Sequence, residues 1–367
     1  MPLRLFSALS SRGRAVPTQG AAPGGSGHAV LGSNDLRQCL RVAFGSTLGF
    51  TISNLFNWNY GVFFTVYPML LLALVPMLNG HIIRQFIGSA LINTVEVALI
   101  AGLFSHLPFV MTLIVFALFA TRFRLMSSGP MFLFGAQGMV SLSVMFHFAS
   151  YESTDLHDML MSNLAASSLT VAIAIVMYAL IPDVEPRKPP PRVEKSLARR
   201  RHETLLGATV STLSFVVFQV FDLHDSLSAQ VATILILFPM TFSGATVAAK
   251  RRAAGVLLGC SFGLLVQLIL YNHSNVLLLV IVPLWIGIML FAREHVIEKV
   301  GSGTGFGGMT TVGILFGQYL TPQQDLVYSD LYRISSVCIA MIIALAVAYV
   351  VHHVLNRFAA TRFVYDS

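Results

Sequence analysis

Residues 244–267 read GATVAAKRRAAGVLLGCSFGLLVQ. Three consecutive cations, Lys250, Arg251 and Arg252, run straight into an apolar segment that carries glycines at Gly255, Gly259 and Gly263. A spacing of four puts the glycines on one face of a helix, as a small-residue stripe that lets helix backbones approach closely in lipid. The cations then mark the mouth of a membrane helix over about 253–271. They serve either as its cytoplasmic anchor or as a vestibule that gathers anionic substrate.

Composition extends this reading to the whole chain. Hydrophobic residues are 55% of 367, charged residues 11%, and mean hydropathy is +0.75. A soluble domain carries about 25% charged residues, so this chain cannot cover a water-facing surface. The segments do not alternate polar and apolar residues, which excludes a β-barrel. The fold class expected is all-α, polytopic, with the lipid bilayer as solvent. The net charge of +7 reads as membrane topology and not as nucleic-acid binding. Cys39, Cys260 and Cys338 have neither metal-ligand nor disulfide spacing and read as packing residues; no metal or cofactor is expected.

Twelve apolar segments are predicted, at about 39–57, 62–78, 85–104, 107–121, 130–148, 160–181, 205–221, 227–243, 253–271, 275–292, 304–320 and 332–354. Before them, residues 1–36 are Gly/Ala/Pro/Ser-rich and read as a flexible tail. Residues 182–204, with PDVEPRKPPPRVEKSLARRR at their core, read as a solvated basic linker. Residues 357–367 read as a second tail.

The two sets of six, 37–181 and 205–356, look like one unit duplicated. STLGF (Ser46–Phe50) matches STLSF (Ser211–Phe215), VPM at Val75 matches FPM at Phe238, and LFATR at Leu118 matches LFAR at Leu290. Gly138, Phe146 and Asp155 match Gly308, Phe316 and Asp325 in the same order. Six helices per unit make the repeats parallel, related by an axis along the membrane normal. With residue 1 in the cytoplasm, 22 of the 23 basic residues fall inside and Arg333 is the exception. That is the positive-inside pattern, with both termini cytoplasmic.

The candidate sites follow from the duplication. Gly88, Ile92 and Glu96 in helix 3 align with Gly255, Gly259 and Gly263 in helix 9, so a carboxylate replaces a packing glycine. Glu96 lies roughly 12 Å in from Gly88. A charge there must pair or stay protonated, which suits proton coupling; a structural hydrogen bond, through Asn93, Asn54 or a histidine, is the other reading. Helices 5 and 11 carry SSGPMFLFGAQGM (Ser127–Met139) and GSGTGFGGMTT (Gly301–Thr311). Glycine interruptions at matching places point to a binding site whose freed N–H groups take a carboxylate. Gln137, Gly138, Gly307, Gly308, Thr310 and Thr311 are its candidate residues, against close helix crossing without a ligand. GTGFGG (Gly303–Gly308) fits a dinucleotide pattern but lacks a βαβ setting. Arg333 stands at the outer end of helix 12, either as an anion contact or paired with Asp330.

The segment from Gly244, Ala245 and Thr246 through Arg251 and Arg252 to Gly255, Gly259 and Gly263 resembles the repeat motif of the fusaric acid resistance and aromatic acid exporter superfamily. The first copy retains only Gly80, Arg84 and Gly88. The resemblance implies a bacterial inner-membrane exporter of small, aromatic organic acids, with a membrane-fusion adaptor as partner, and places this chain near a compact two-repeat branch. A parallel duplication either serves as a fused dimer or associates further as a homo-oligomer. The expected function is proton-coupled efflux and not enzymatic catalysis, since no paired catalytic residues lie in the spans. A passive organic-anion channel, as in plant malate channels that resemble the superfamily, and a non-transporting scaffold are the alternatives.

Overall fold

The computed structural model describes residues 31–363, apart from 76, 152–153, 188–193, 224–225, 271–272, 274–275, 300, 302 and 320–325. Gly32–Ser367 forms one compact unit, and it is all-α. The helices are α1 (Ser33–Leu55), α2 (Gly61–Leu74), α3 (Gly80–Phe104), α4 (Pro108–Ser128), α5 (Phe132–Ala149), α6 (Leu156–Leu180), α7 (Leu197–Val220), α8 (Leu227–Ile236), α9 (Phe242–Leu270), α10 (Leu277–Glu298), α11 (Thr304–Ile314) and α12 (Leu326–Asn356). Each predicted apolar segment thus becomes one helix. Local chemistry sets several starts: Asn79, Asp155 and Ser196 accept backbone N–H bonds as N-caps of α3, α6 and α7, and Pro108 occupies the first turn of α4.

Among the described residues eight helices are long and apolar enough to cross a bilayer, while α2 and α8 are apolar but short. Their outer faces carry large exposed aliphatics, among them Leu91, Val95, Leu99 and Leu103 on α3 and Leu278, Val282 and Leu290 on α10. A water-facing surface does not carry such continuous apolar area, and in a bilayer it is solvated by acyl chains. The two central helices differ. Every residue from Leu133 to Phe148 of α5 and from Gly305 to Ile314 of α11 is buried, as expected of a helix that is enclosed all round.

The neighbours of these two helices follow parallel patterns. α5 packs on α3, α4 and α8, and α11 packs on α9, α10 and α2. α1 lies against α2, α6 and α10, and α7 against α8, α12 and α4. α6 packs on α2 and α3, and α12 on α8 and α9.

Four expectations are corrected. α4 does not end at 121 but continues to Ser128, which carries Arg122 into the helix. α9 begins at Phe242, so Lys250–Arg252 lie within a 29-residue helix and not at its mouth. The linker residues Asp183 and Arg187 are anchored on α1, with 184–186 exposed between them, which leaves the solvated reading untouched: Arg41 binds Asp183 at 2.8 Å and Ile181 O at 2.9 Å, and Arg187 binds Gln38 Oε1 at 2.7 Å and Asn34 O at 2.8 Å. α7 already starts at Leu197, inside the predicted linker. Finally, the glycines of helices 5 and 11 do not break them. α5 runs unbroken from Phe132, and α11 passes through Gly305, Gly307, Gly308 and Gly313 before a π turn at Leu315–Tyr319. These glycines permit close approach instead. Gly305, for example, faces the backbone of Phe291 and His295.

Candidate functional site

Glu96 on α3 is held by Arg122 of α4, whose Nη2 donates to Glu96 Oε2. The same Nη2 donates to Asn93 Oδ1 at 3.0 Å, and the guanidinium lies 5.2 Å from the centre of the Phe134 ring. The Arg122 side chain is 5% exposed and that of Glu96 21%, so the pair is enclosed on the arginine side. α5 closes the cluster. Asn93 Nδ2 donates to Gly138 O at 3.4 Å, Ser89 Oγ to Phe134 O at 3.0 Å, and Gly138 packs against Arg122 Cδ and Nε. Next to it, Asn163 joins four helices: Tyr67 and Ser141 donate to its Oδ1 at 2.7 and 3.0 Å, and its Nδ2 donates to Thr94 Oγ1 at 3.1 Å.

The α3 face that meets α5 is therefore Gln85, Ser89 and Asn93, one residue away from the predicted line of Gly88, Ile92 and Glu96. A methyl on Gly88 would meet only Phe134 Cε2, at 3.9 Å, and Ile92 is exposed. Gly88 is not a packing glycine. Sequence reading also placed Arg122 in a cytoplasmic loop. The signal that points to it is Glu96 itself, because a carboxylate within a span requires a cation within reach.

In α9 the glycine stripe does meet α11. A methyl on Gly255 would collide with Thr304 O and lie 2.8 Å from Gly308 N; one on Gly259 would lie 2.9 Å from Thr311 Cβ, and one on Gly263 2.7 Å from Leu315 Cδ1. The three cations before the stripe separate, because consecutive helical residues point about 100° apart. Lys250 is exposed, Arg251 is half-buried, and Arg252 turns onto α11 and is 2% exposed. Arg252 Nη2 donates to Thr310 Oγ1 at 3.3 Å; its Nε and Nη1 have no hydrogen-bond partner. Thr310 and Thr311 return their own hydroxyl hydrogens to carbonyls of α11, including Gly307 O at 3.1 and 2.8 Å. Gly307 lies beside the Arg252 backbone and Cγ, and Gly308 lies under the Phe291 ring. Gln137, buried in α5, has neither amide atom hydrogen-bonded. Arg333 is buried on α12; the side chain of Asp330 lies outside the described residues.

One end of the bundle collects charge. A cavity of about 290 Å³ there is lined by Asp35, Gln38, Arg187, His295, Lys299 and Gly301. His295 Nε2 meets Ala73 O at 3.2 Å and its Nδ1 has no partner. Nearby, Glu298 Oε2 accepts the Gly305 N–H at 3.0 Å and so caps α11. At the start of α7, Glu203 is 1% exposed and held by Lys195 at 2.7 Å, Arg199 at 3.1 Å and Ser127 at 2.6 Å. Among the described residues no group of three or more His, Cys, Asp and Glu could hold a metal ion.

Long apolar helices, an aliphatic outer surface and buried charges between helices define a polytopic α-helical membrane protein. Residues 212–347 match the family described as Fusaric acid resistance protein-like, and residues 38–177 match the family described as Protein of unknown function (DUF2955). The second half of the chain is thus a fusaric acid resistance protein-like domain, of a membrane protein family. Neither a curated protein nor a solved structure matches the chain.

Proposed function

We propose that the chain is a proton-coupled exporter of small, aromatic organic acids, working in a bacterial inner membrane with both termini in the cytoplasm. The observation that carries this reading is the Glu96–Arg122 pair between α3 and α4, packed against Gly138 of the buried α5. A guanidinium cannot lose its proton in a protein, whereas a carboxylate can gain one. Protonation of Glu96 therefore removes the negative charge that balances Arg122 and leaves it with neutral partners, Asn93 and the Phe134 ring among them, a charge imbalance that favours rearrangement of the helix contact. A pair of this kind converts one proton into a change of packing beside a central helix.

The two six-helix halves act as repeats. Support comes from the reciprocal packing, in which α1 meets α10 as α7 meets α4, and α5 meets α8 as α11 meets α2. The two family matches also divide between the halves. In this frame Phe291, not Arg293, takes the place of Arg122, since Phe291 lies on Gly308 as Arg122 lies on Gly138. Phe291 meets Phe262 edge to face at 6.5 Å. An aromatic pair thus stands where the first half has its ion pair, and the chain carries one coupling pair, not two. The basic-end cavity, with Arg187, His295 and Lys299, is the cytoplasmic entry that gathers the anion. Gln137, Gly138, Gly307, Gly308, Thr310 and Thr311 line its route between the halves.

The test is uptake of labelled benzoate into inverted membrane vesicles, with and without an imposed proton gradient, for wild type and Glu96→Gln. Gradient-driven accumulation that the variant loses is the expected result. Equilibration that ignores both the gradient and the substitution would replace the coupled exporter with a passive channel.

A further inference from the structure

The geometry points to a carboxylate-binding subsite at Arg252 and Thr310, where α9 crosses the first turns of α11. Both Arg41 and Arg122 are buried guanidiniums, and each has a carboxylate: Asp183 for Arg41, Glu96 for Arg122. Arg252 is equally buried, yet among the described residues it forms no ion pair, and one hydroxyl at 3.3 Å is its hydrogen-bond partner. Nε and Nη1 make no bond at all. A guanidinium keeps its charge whatever its surroundings, and a buried, unpaired charge is strongly unfavourable. An anion is the partner that resolves it.

The surroundings narrow the class of anion. One cation is on offer, so a monovalent anion leaves the site neutral, whereas a doubly charged phosphate would bury a net negative charge. The guanidinium presents parallel N–H donors along its edges, a match for the two oxygens of a carboxylate. The Thr310 hydroxyl adjoins that edge, and its hydrogen goes to Phe306 O and Gly307 O. The N-terminus of α11 is not itself the site, since Glu298 already caps it. Arg252, Gly255 and Gly259 share the α9 face on α11, and Gly307 lies beside the Arg252 Cγ. The same trio of cations read as a surface recruiter thus has one member inside, aimed at the glycine- and threonine-rich helix. The identity of the ligand as substrate rests on the exporter reading; the binding itself does not.

The experiment is thermal unfolding of the purified full-length protein in detergent, titrated with benzoate, acetate, chloride or phosphate. Wild type is compared with Arg252→Met, Arg252→Lys and Thr310→Val. Benzoate is expected to raise the wild-type midpoint saturably, more than chloride or phosphate does. Arg252→Met is expected to unfold at the same or a higher temperature without ligand, because it removes an unpaired buried charge, and to bind benzoate roughly 10- to 100-fold more weakly. Arg252→Lys, which lacks the fork, and Thr310→Val are expected to weaken binding as well. A lower ligand-free midpoint in Arg252→Met with the benzoate response intact in Arg252→Lys and Thr310→Val would overturn the subsite and make Arg252 a structural residue. An equal response to all four anions would overturn it too. No proton gradient enters this measurement. Benzoate binding through Arg252 without gradient-driven uptake therefore defeats the exporter alone, and gradient-driven uptake by an Arg252→Met protein whose benzoate response equals that of wild type defeats the subsite alone.

Discussion

Gly138 lies directly beneath the side chain of Arg122: a methyl group on it would stand 2.8 Å from both Cδ and Nε of the arginine and 3.2 Å from Ser89 Oγ. The arginine cannot swing away, since Glu96, Asn93 and the Phe134 ring hold its guanidinium. Gly138→Ala is therefore expected to force the pair apart at a cost of about 1–3 kcal/mol, the usual range for overpacking. Thermal unfolding of the purified variant measures that cost. A midpoint equal to wild type would show that α5 and Arg122 move independently.

Glu96 and Arg122 are not equivalent partners, and single substitutions are expected to separate them. Glu96→Gln strands a permanently charged group in a buried site, which costs on the order of 3–5 kcal/mol. Arg122→Met strands a carboxylate that is partly exposed and able to take a proton, so its cost is expected to be about half that. The double variant Glu96→Gln/Arg122→Met is expected to recover most of the loss, since a buried pair is often replaceable by neutral groups. Unfolding midpoints of the three variants test the order. Equal losses for the two single variants would mean that Arg122 finds another partner.

The helices were legible because the apolar runs dictate them, but their starts were not: α3 and α7 begin at Gly80 and Leu197, capped by Asn79 and Ser196, ahead of the apolar runs read from about 85 and 205. Burial was less legible. Arg122 follows an apolar run from Pro108 to Ala120, and in sequence a cation in that place is indistinguishable from an interfacial anchor. Only the packing of α4 on α3 and α5 encloses it. The same ambiguity hid Arg252, one of three adjacent cations of which a single one turns inward. Short matches between the halves also fix register only loosely. An error of one residue put Gly88 and Ile92 on the face where Ser89 and Asn93 meet α5. The role of glycine was misread for a related reason: a helix break and a close crossing use the same residue, and only the neighbouring backbone distinguishes them.

The glycines of α3 and α9 make opposite predictions. A methyl on Gly255 meets backbone atoms, Thr304 O and Gly308 N, which cannot rotate away. Gly255→Ala is expected to lose at least about 2 kcal/mol through separation of α9 from α11. Gly88 has one ring atom at 3.9 Å, so Gly88→Ala is expected to be neutral or to gain up to about 1 kcal/mol from helix propensity. Detergent melting curves of both variants settle the comparison. A destabilised Gly88→Ala beside a tolerated Gly255→Ala would place the seam on the wrong helix.

The last described residues are latched to the start of α7 by a chain of bonds that fixes two histidines as neutral. His202 Nδ1 meets Thr361 O at 2.7 Å, which requires a hydrogen on that nitrogen and leaves Nε2 as an acceptor. His352 Nδ1, 2.9 Å from Nε2, must then be the donor, and His352 Nε2 accepts from Asn356 Nδ2 at 3.0 Å. Asn356 Oδ1 in turn accepts the Phe363 N–H at 2.8 Å. A proton on either ring turns an accepting nitrogen into a donor and sets N–H against N–H, with His353 on the next residue and Glu203 beside His202 as the other titratable neighbours. An ordinary imidazole is largely charged by about pH 5.5. Hydrogen exchange of residues 357–363, corrected for its intrinsic pH dependence, is therefore expected to be slow at pH 7.5 and markedly faster at pH 5.5. In His202→Phe the segment is expected to exchange fast at both values. Equal protection of the wild type at the two pH values would show that the latch holds without the neutral pair, through the Phe363 ring against His202 and Arg199.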